Sequence, residues 1–115
     1  MYLIKRNNIK LTRGDTLIAQ VGIIRDDEPY TPEDGDEIRF AMKHPTMNSA
    51  KTEYTDKEPL LTKNIPIDTL ILQLDPEDTK SFGFGEYVYD LEITFADGYR
   101  DTFVSATITL TPEVD

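Results

Sequence analysis

The sequence predicts an all-β fold, a sandwich of about seven antiparallel strands in two sheets, from three observations. Over 86–95, Tyr87, Tyr89, Leu91, Ile93 and Phe95 share one face while Glu86, Asp90, Glu92 and Thr94 share the other, which is the two-residue period of a half-buried strand. Turn residues punctuate the chain at Gly14-Asp15, Asp34-Gly35 and Asp97-Gly98, where glycine frees the backbone to reverse. Tyr, Phe, Ile, Val and Thr supply the aromatic and β-branched content that strands favour.

Residues 2–10 read as a first, weakly alternating strand, and 11–15 (LTRGD) as a turn. A long strand is predicted over 16–25, with Leu17, Ala19, Val21 and Ile23 on one face and the outward Ile18 and Ile24 on the other. Two outward isoleucines imply that something covers part of that face. Residues 26–36 form a polar loop, and the chain resumes as a strand over 37–43 with Ile38, Phe40 and Met42 inward. The stretch 44–59 has no period and reads as a long loop.

Two short strands are expected over 60–65 and 69–74, the second placing Leu70, Leu72 and Leu74 together. The alternating strand 86–95 is followed by Ala96-Asp97-Gly98, a hairpin signal, and by a last strand over 99–111 with Val104, Ala106, Ile108 and Leu110 inward. Strands 2–10, 16–25, 60–65 and 69–74 are assigned to one sheet, and 37–43, 86–95 and 99–111 to the other.

The segment 75–91 (DPEDTKSFGFGEYVYDL) narrows the fold further. Asp75 caps a short helical turn, Pro76 suits its first position, and Glu77 and Asp78 complement its dipole. Tyr87 then sits two residues before the core position Tyr89. That is the place of the tyrosine corner in immunoglobulin-like sandwiches, where the hydroxyl bonds back to the backbone upstream. Tyr87 is therefore expected to be a structural corner residue.

At 115 residues the chain fits one domain spanning 1–115. Its net charge of −10 argues against nonspecific binding to nucleic acid or anionic membrane, both of which need a basic surface. There is no cysteine, hence no disulfide framework and no thiolate metal site. The start lacks the apolar core of a signal peptide, and no apolar run approaches a membrane span. The charge is uneven: residues 1–14 hold Lys5, Arg6, Lys10 and Arg13 and no acid, a local +4, which leaves −14 on the rest. Such a basic strand can pair within its own sheet or lie across a neighbouring copy.

No catalytic constellation emerges. His44 is the single histidine and has no evident dyad partner or second imidazole for zinc. Gly83-Phe84-Gly85 precedes a strand and lacks the Lys and Ser/Thr of a phosphate loop. Arg13-Gly14-Asp15 spells an adhesion tripeptide but is ordinary turn chemistry. The acidic run across 26–37 departs from the EF-hand spacing and is interrupted by Pro29 and Pro32, so it reads as a solvated loop. No cofactor is expected.

With these residues in place, the chain resembles the small immunoglobulin-like modules of tailed bacteriophages and prophages, akin to the N-terminal domain of baseplate upper proteins. The resemblance is carried by 11–16 (LTRGDT), 29–43 (PYTPEDGDEIRFAMK), 74–79 (LDPEDT), 85–90 (GEYVYD) and 107–114 (TITLTPEV). It implies a noncatalytic virion component, assembled in the host cytoplasm, that binds other phage structural proteins or copies of itself. The expected contact surface is the first strand, with Tyr2, Ile4, Lys5, Arg6 and Lys10, together with Ile18 and Ile24. The alternative is a ligand-, glycan- or calcium-binding adhesion module that presents Tyr30, Tyr54 and Tyr99 on its loops.

Overall fold

The computed structural model of the chain describes residues 2–44 and 59–112, whose strands form one six-stranded sheet, one two-stranded sheet and a short separate hairpin. The chain is thus mostly β, as its alternation predicts, but several strands are placed differently from the expectation.

The first is the stretch 2–10, which is a hairpin of β1 (Tyr2–Lys5) and β2 (Asn8–Thr12) instead of one strand. Its turn is Arg6-Asn7, both at positive φ, 53° and 70°. A two-residue turn of this hand matches the twist of its strands. Asn7 suits that conformation; Arg6 does not, which masks the signal in the sequence. The hairpin also joins the larger sheet, not the sheet of 16–25. There β2 runs parallel to β10 (Arg100–Thr111), with Ile9 beside Ile108 and Leu11 beside Leu110. The all-antiparallel expectation fails at this one pairing, which places Ile9 and Leu11 in the core and covers the outer edge of β10 from Ile108 to Thr111.

Beyond β10 come β9 (Gly85–Thr94), β6 (Glu37–Lys43) and β7 (Leu61–Ile65), giving the order β1-β2-β10-β9-β6-β7. The strand predicted over 60–65 therefore belongs to the larger sheet, antiparallel to β6, with Ile65 opposite Ile38. The hairpin β9–β10 forms as its turn chemistry predicts, with Gly98 at φ 95°. A bulge between Thr102 and Val104 shifts the register of that pairing.

The smaller sheet pairs β3 (Leu17–Gln20) with β8 (Ile71–Leu74). The long strand predicted over 16–25 stops at Gln20, although Val21 and Ile23 continue into the core. Ile24 and Arg25 instead form β4 (Ile24–Arg25), which pairs with β5 (Glu28–Pro29) around Asp26 and Asp27, at φ 54° and 66°. The strand predicted over 69–74 begins late because Leu70 has φ 56°. That conformation lets the Leu70 N–H reach the Pro66 carbonyl and its own carbonyl accept from Val21 N–H, both at 2.8 Å.

A one-turn helix, α1 (Pro76–Lys80), joins β8 to β9, and the Asp75 N–H donates to Asp78 Oδ2 at 2.7 Å. The core lies between the two sheets. Leu17, Leu72 and Leu74 of the smaller sheet meet Phe40, Met42, Leu91 and Ile93 of the larger one. Burial of each such side chain contributes roughly 1.5–3 kcal/mol, and in a chain without cysteine this packing carries the stability.

Candidate functional site

Three regions concentrate polar contacts and exposed apolar surface. The first is the corner where α1 leads into β9. The Tyr87 hydroxyl donates to the Gly83 carbonyl at 2.8 Å, four residues upstream. The ring packs near Phe82 and is stacked by His44 at 5.4 Å between centroids. The turn over 13–15 is tied to the same corner: Gly14 N–H donates to the Oγ1 of fully buried Thr79 at 2.9 Å, and the Arg13 guanidinium donates to the Phe82 carbonyl and lies 4.1 Å over the Phe84 ring. The RGD tripeptide thus serves as an internal clamp.

The second region is the β1–β2 hairpin, the outer edge of the larger sheet. All four residues of β1 are exposed, and Leu3 keeps 63% of its surface in solvent. Cross-strand register pairs Leu3 with Lys10 and Ile4 with Ile9. Leu3, Lys5 and Lys10 therefore share the outer face, while Tyr2 and Ile4 share the core-side face. Lys5, Arg6 and Lys10 are exposed and form no ion pair with a described residue. The hairpin is fastened at both ends: Tyr89 donates its hydroxyl to the Asn7 carbonyl at 2.5 Å, and Tyr2 donates to the Ile18 carbonyl at 2.7 Å. Behind it a small, partly open pocket of about 90 Å³ lies among Ile4, Ala19, Val21, Leu72 and Val104, large enough to admit water.

The third region is the opposite end, where β4–β5 meets the tip of β9–β10. Its anchor is Asp36, 6% exposed inside a loop that reads as solvated. One carboxylate oxygen accepts from Tyr30 OH at 2.6 Å and Glu33 N–H at 2.9 Å; the other accepts from Ala96 N–H at 3.1 Å. Burial works against the charge of Asp36, yet these donors and the nearby Arg25 cation outweigh it, and the carboxyl titrates below its ordinary 3.8. The same bond, with desolvation, pushes the Tyr30 phenol above its ordinary 10.0.

On this anchor stands an aromatic stack. Tyr30 meets Phe95 edge-on at 5.5 Å, Tyr99 stacks beside Phe95 at 6.0 Å, and the Arg25 guanidinium lies 4.1 Å over the Phe95 ring. An open groove of about 450 Å³ runs between Ile24, Asp26, Asp97, Tyr99 and Asp101. Tyr99 and Ile24 are 63% and 72% exposed. One Asp97 oxygen accepts from Tyr99 N–H at 3.0 Å.

The structure divides the surface expected from the sequence. Ile18 is exposed beside Tyr2, next to the first hairpin, whereas Ile24 belongs to the groove with Phe95 and Tyr99. Register shows the separation: Tyr2 pairs with Leu11, beside Leu110, which faces Gly85 at the start of β9, while Phe95 follows its end. Tyr30 and Tyr99 meet through Phe95; Tyr54 lies outside the described residues. The sequence does not mark Arg25, Phe95, Asp97 and Asp101 as a site, and Asp36 stands in the acidic run that reads as a solvated loop. The alternation assigns Phe95 to the core and the acids to solvent, and no local pattern marks their convergence.

Among the described residues, no group of three or more His, Asp or Glu side chains is disposed to hold a metal ion, and no helix is long and apolar enough to cross a membrane. Comparison with known proteins finds no matching family model, no similar curated protein and no matching solved structure.

Proposed function

We propose that this chain is a noncatalytic immunoglobulin-like interaction module, a structural component of tailed-phage particles that binds other virion proteins. The observation that carries the interaction reading is β1, an edge strand whose residues Tyr2, Leu3, Ile4 and Lys5 are all exposed. An unpaired edge with apolar side chains is a template for another chain, and solitary domains usually blunt it.

The fold assignment draws support from topology. β3 and β8 stand where strands B and E would, and β6, β9 and β10 where C, F and G would. The Tyr87 hydroxyl on the Gly83 carbonyl matches the bond of a tyrosine corner. The phage assignment rests on the resemblance of 11–16, 29–43, 74–79, 85–90 and 107–114 to such modules.

The test is to purify particles by density gradient from a bacterial host carrying the gene and to search them for this chain by mass spectrometry. The chain should band with the particles at a fixed ratio to a tail or capsid protein. Abundance in the lysate with absence from the banded particles would overturn the phage assignment.

A further inference from the structure

We infer that the β1–β2 hairpin of one copy binds the groove between β4 and the β9–β10 tip of another, so that the protein assembles head to tail. The inference rests on the interaction reading above and names the partner as a second copy of this chain.

Charge chooses that partner. The hairpin presents Lys5, Arg6 and Lys10 from a segment that contains no acid. Among its described lining residues the groove presents Asp26, Asp97 and Asp101 against one cation, Arg25, already seated over Phe95. The Asp26 and Asp101 side chains make no hydrogen bond or ion pair with a described residue. Unmatched charges of opposite sign on two faces of one protein attract between copies and repel like faces.

Apolar surface is matched as well. Leu3, on the hairpin's outer face with Lys5 and Lys10, meets Ile24 and Tyr99 in the groove, and all three apolar side chains are exposed. The face of the Tyr99 ring turned away from Phe95, with Asp97 and Asp101 lining the same groove, is the setting in which an ammonium or guanidinium gains from both cation–π and ionic contact. Within one copy the two faces cannot meet, because Tyr89 and the Ile18 carbonyl hold the hairpin down along the sheet edge. The contact joins two different patches and is therefore heterologous, closing into a ring or extending as a filament.

The test uses the full chain in sedimentation velocity over a concentration series, at low and high salt. Two variants accompany it: a hairpin variant, Lys5→Glu with Lys10→Glu, and a groove variant, Tyr99→Ala with Asp101→Lys. All four positions are exposed, and thermal melting checks that both variants fold. The native chain should associate at low salt and do so at least about tenfold more weakly at high salt. Each variant alone should stay monomeric. Their mixture should stop at a dimer, since the groove variant keeps its hairpin and the hairpin variant keeps its groove.

A groove variant that dimerises alone would show that two β1 edges pair with each other, overturning the inference. A mixture of folded variants that stays monomeric would do the same. A native chain that is monomeric throughout but still bands with particles would remove self-assembly while leaving the interaction module intact.

Discussion

The Tyr30 hydroxyl donates to the buried Asp36 carboxylate at 2.6 Å, and through that carboxylate the polar loop before β6 is bonded to Ala96 at the tip of the β9–β10 hairpin. One acid thus fastens the loop to the hairpin tip that lines the groove. Replacing Asp36 by Ala leaves Tyr30 OH and the Glu33 and Ala96 N–H groups without their acceptor. The cost should be about 3 kcal/mol, since bonds to a charged group are worth roughly 1.5–3 kcal/mol each and the orphaned donors add to the loss. Tyr30→Phe removes one donor to the charged carboxylate and should cost about 1.5 kcal/mol. Urea unfolding of both variants at neutral pH measures the difference.

Asp36 also makes a pH signature. Its folded-state pKa lies below its ordinary 3.8, so its contribution is fully present above the unfolded value and is lost as pH falls through the folded one. The native chain should lose more stability than Asp36→Asn between neutral pH and the region below about 4. Parallel urea midpoints for the two proteins across that range would show that Asp36 is not held in its charged form.

Gly35, next to Asp36, has φ 96°, and an added Cβ would stand 2.8 Å from the Ala96 Cβ. Gly35→Ala should therefore destabilise by about 2 kcal/mol, from left-handed strain of roughly 1–2 kcal/mol and the contact with the hairpin tip. The double change Gly35→Ala with Ala96→Gly removes the contact but leaves the strain. A double-mutant cycle of melting temperatures should recover part of the loss; full additivity would mean that the two residues do not press on each other.

At the other end, Tyr87→Phe keeps the ring between His44 and Phe82 and deletes only the bond to the Gly83 carbonyl. The loss should be about 1 kcal/mol. Tyr87→Ala also removes the buried ring and should cost about 3–5 kcal/mol. Equal effects of the two changes on the urea midpoint would place the value of Tyr87 in its hydroxyl alone.

Thr79→Val is nearly isosteric but removes the acceptor for Gly14 N–H. It should destabilise by about 1–3 kcal/mol, the cost of leaving a partly buried donor unsatisfied. Faster amide exchange at Gly14 in the variant would confirm that the 13–15 turn is what loosens.

Sequence alone determined the all-β character of this chain and the inward face of its strongest strands. In 86–95 every second residue is apolar, and Tyr87, Tyr89, Leu91, Ile93 and Phe95 are all buried. A two-residue period dictates which side chains point inward whatever the neighbouring strand is. Local chemistry likewise marked the helical turn at Pro76 and the reversal at Gly98.

Tertiary structure decided everything that depends on which strands become neighbours. Alternation is the same for a strand in either sheet, so it could not assign 60–65 to β6, and it could not show that β2 lies parallel to β10. The late start of β8 follows from the positive φ of Leu70, which turns its N–H to the Pro66 carbonyl while its own carbonyl accepts from Val21 N–H at 2.8 Å, a contact between residues far apart in the chain. The groove is of the same kind. Arg25, Asp36, Phe95 and Asp101 acquire a shared environment only when β4 and the β9–β10 tip are brought to one end, because charge and aromatic contacts act through space and leave no period in the sequence.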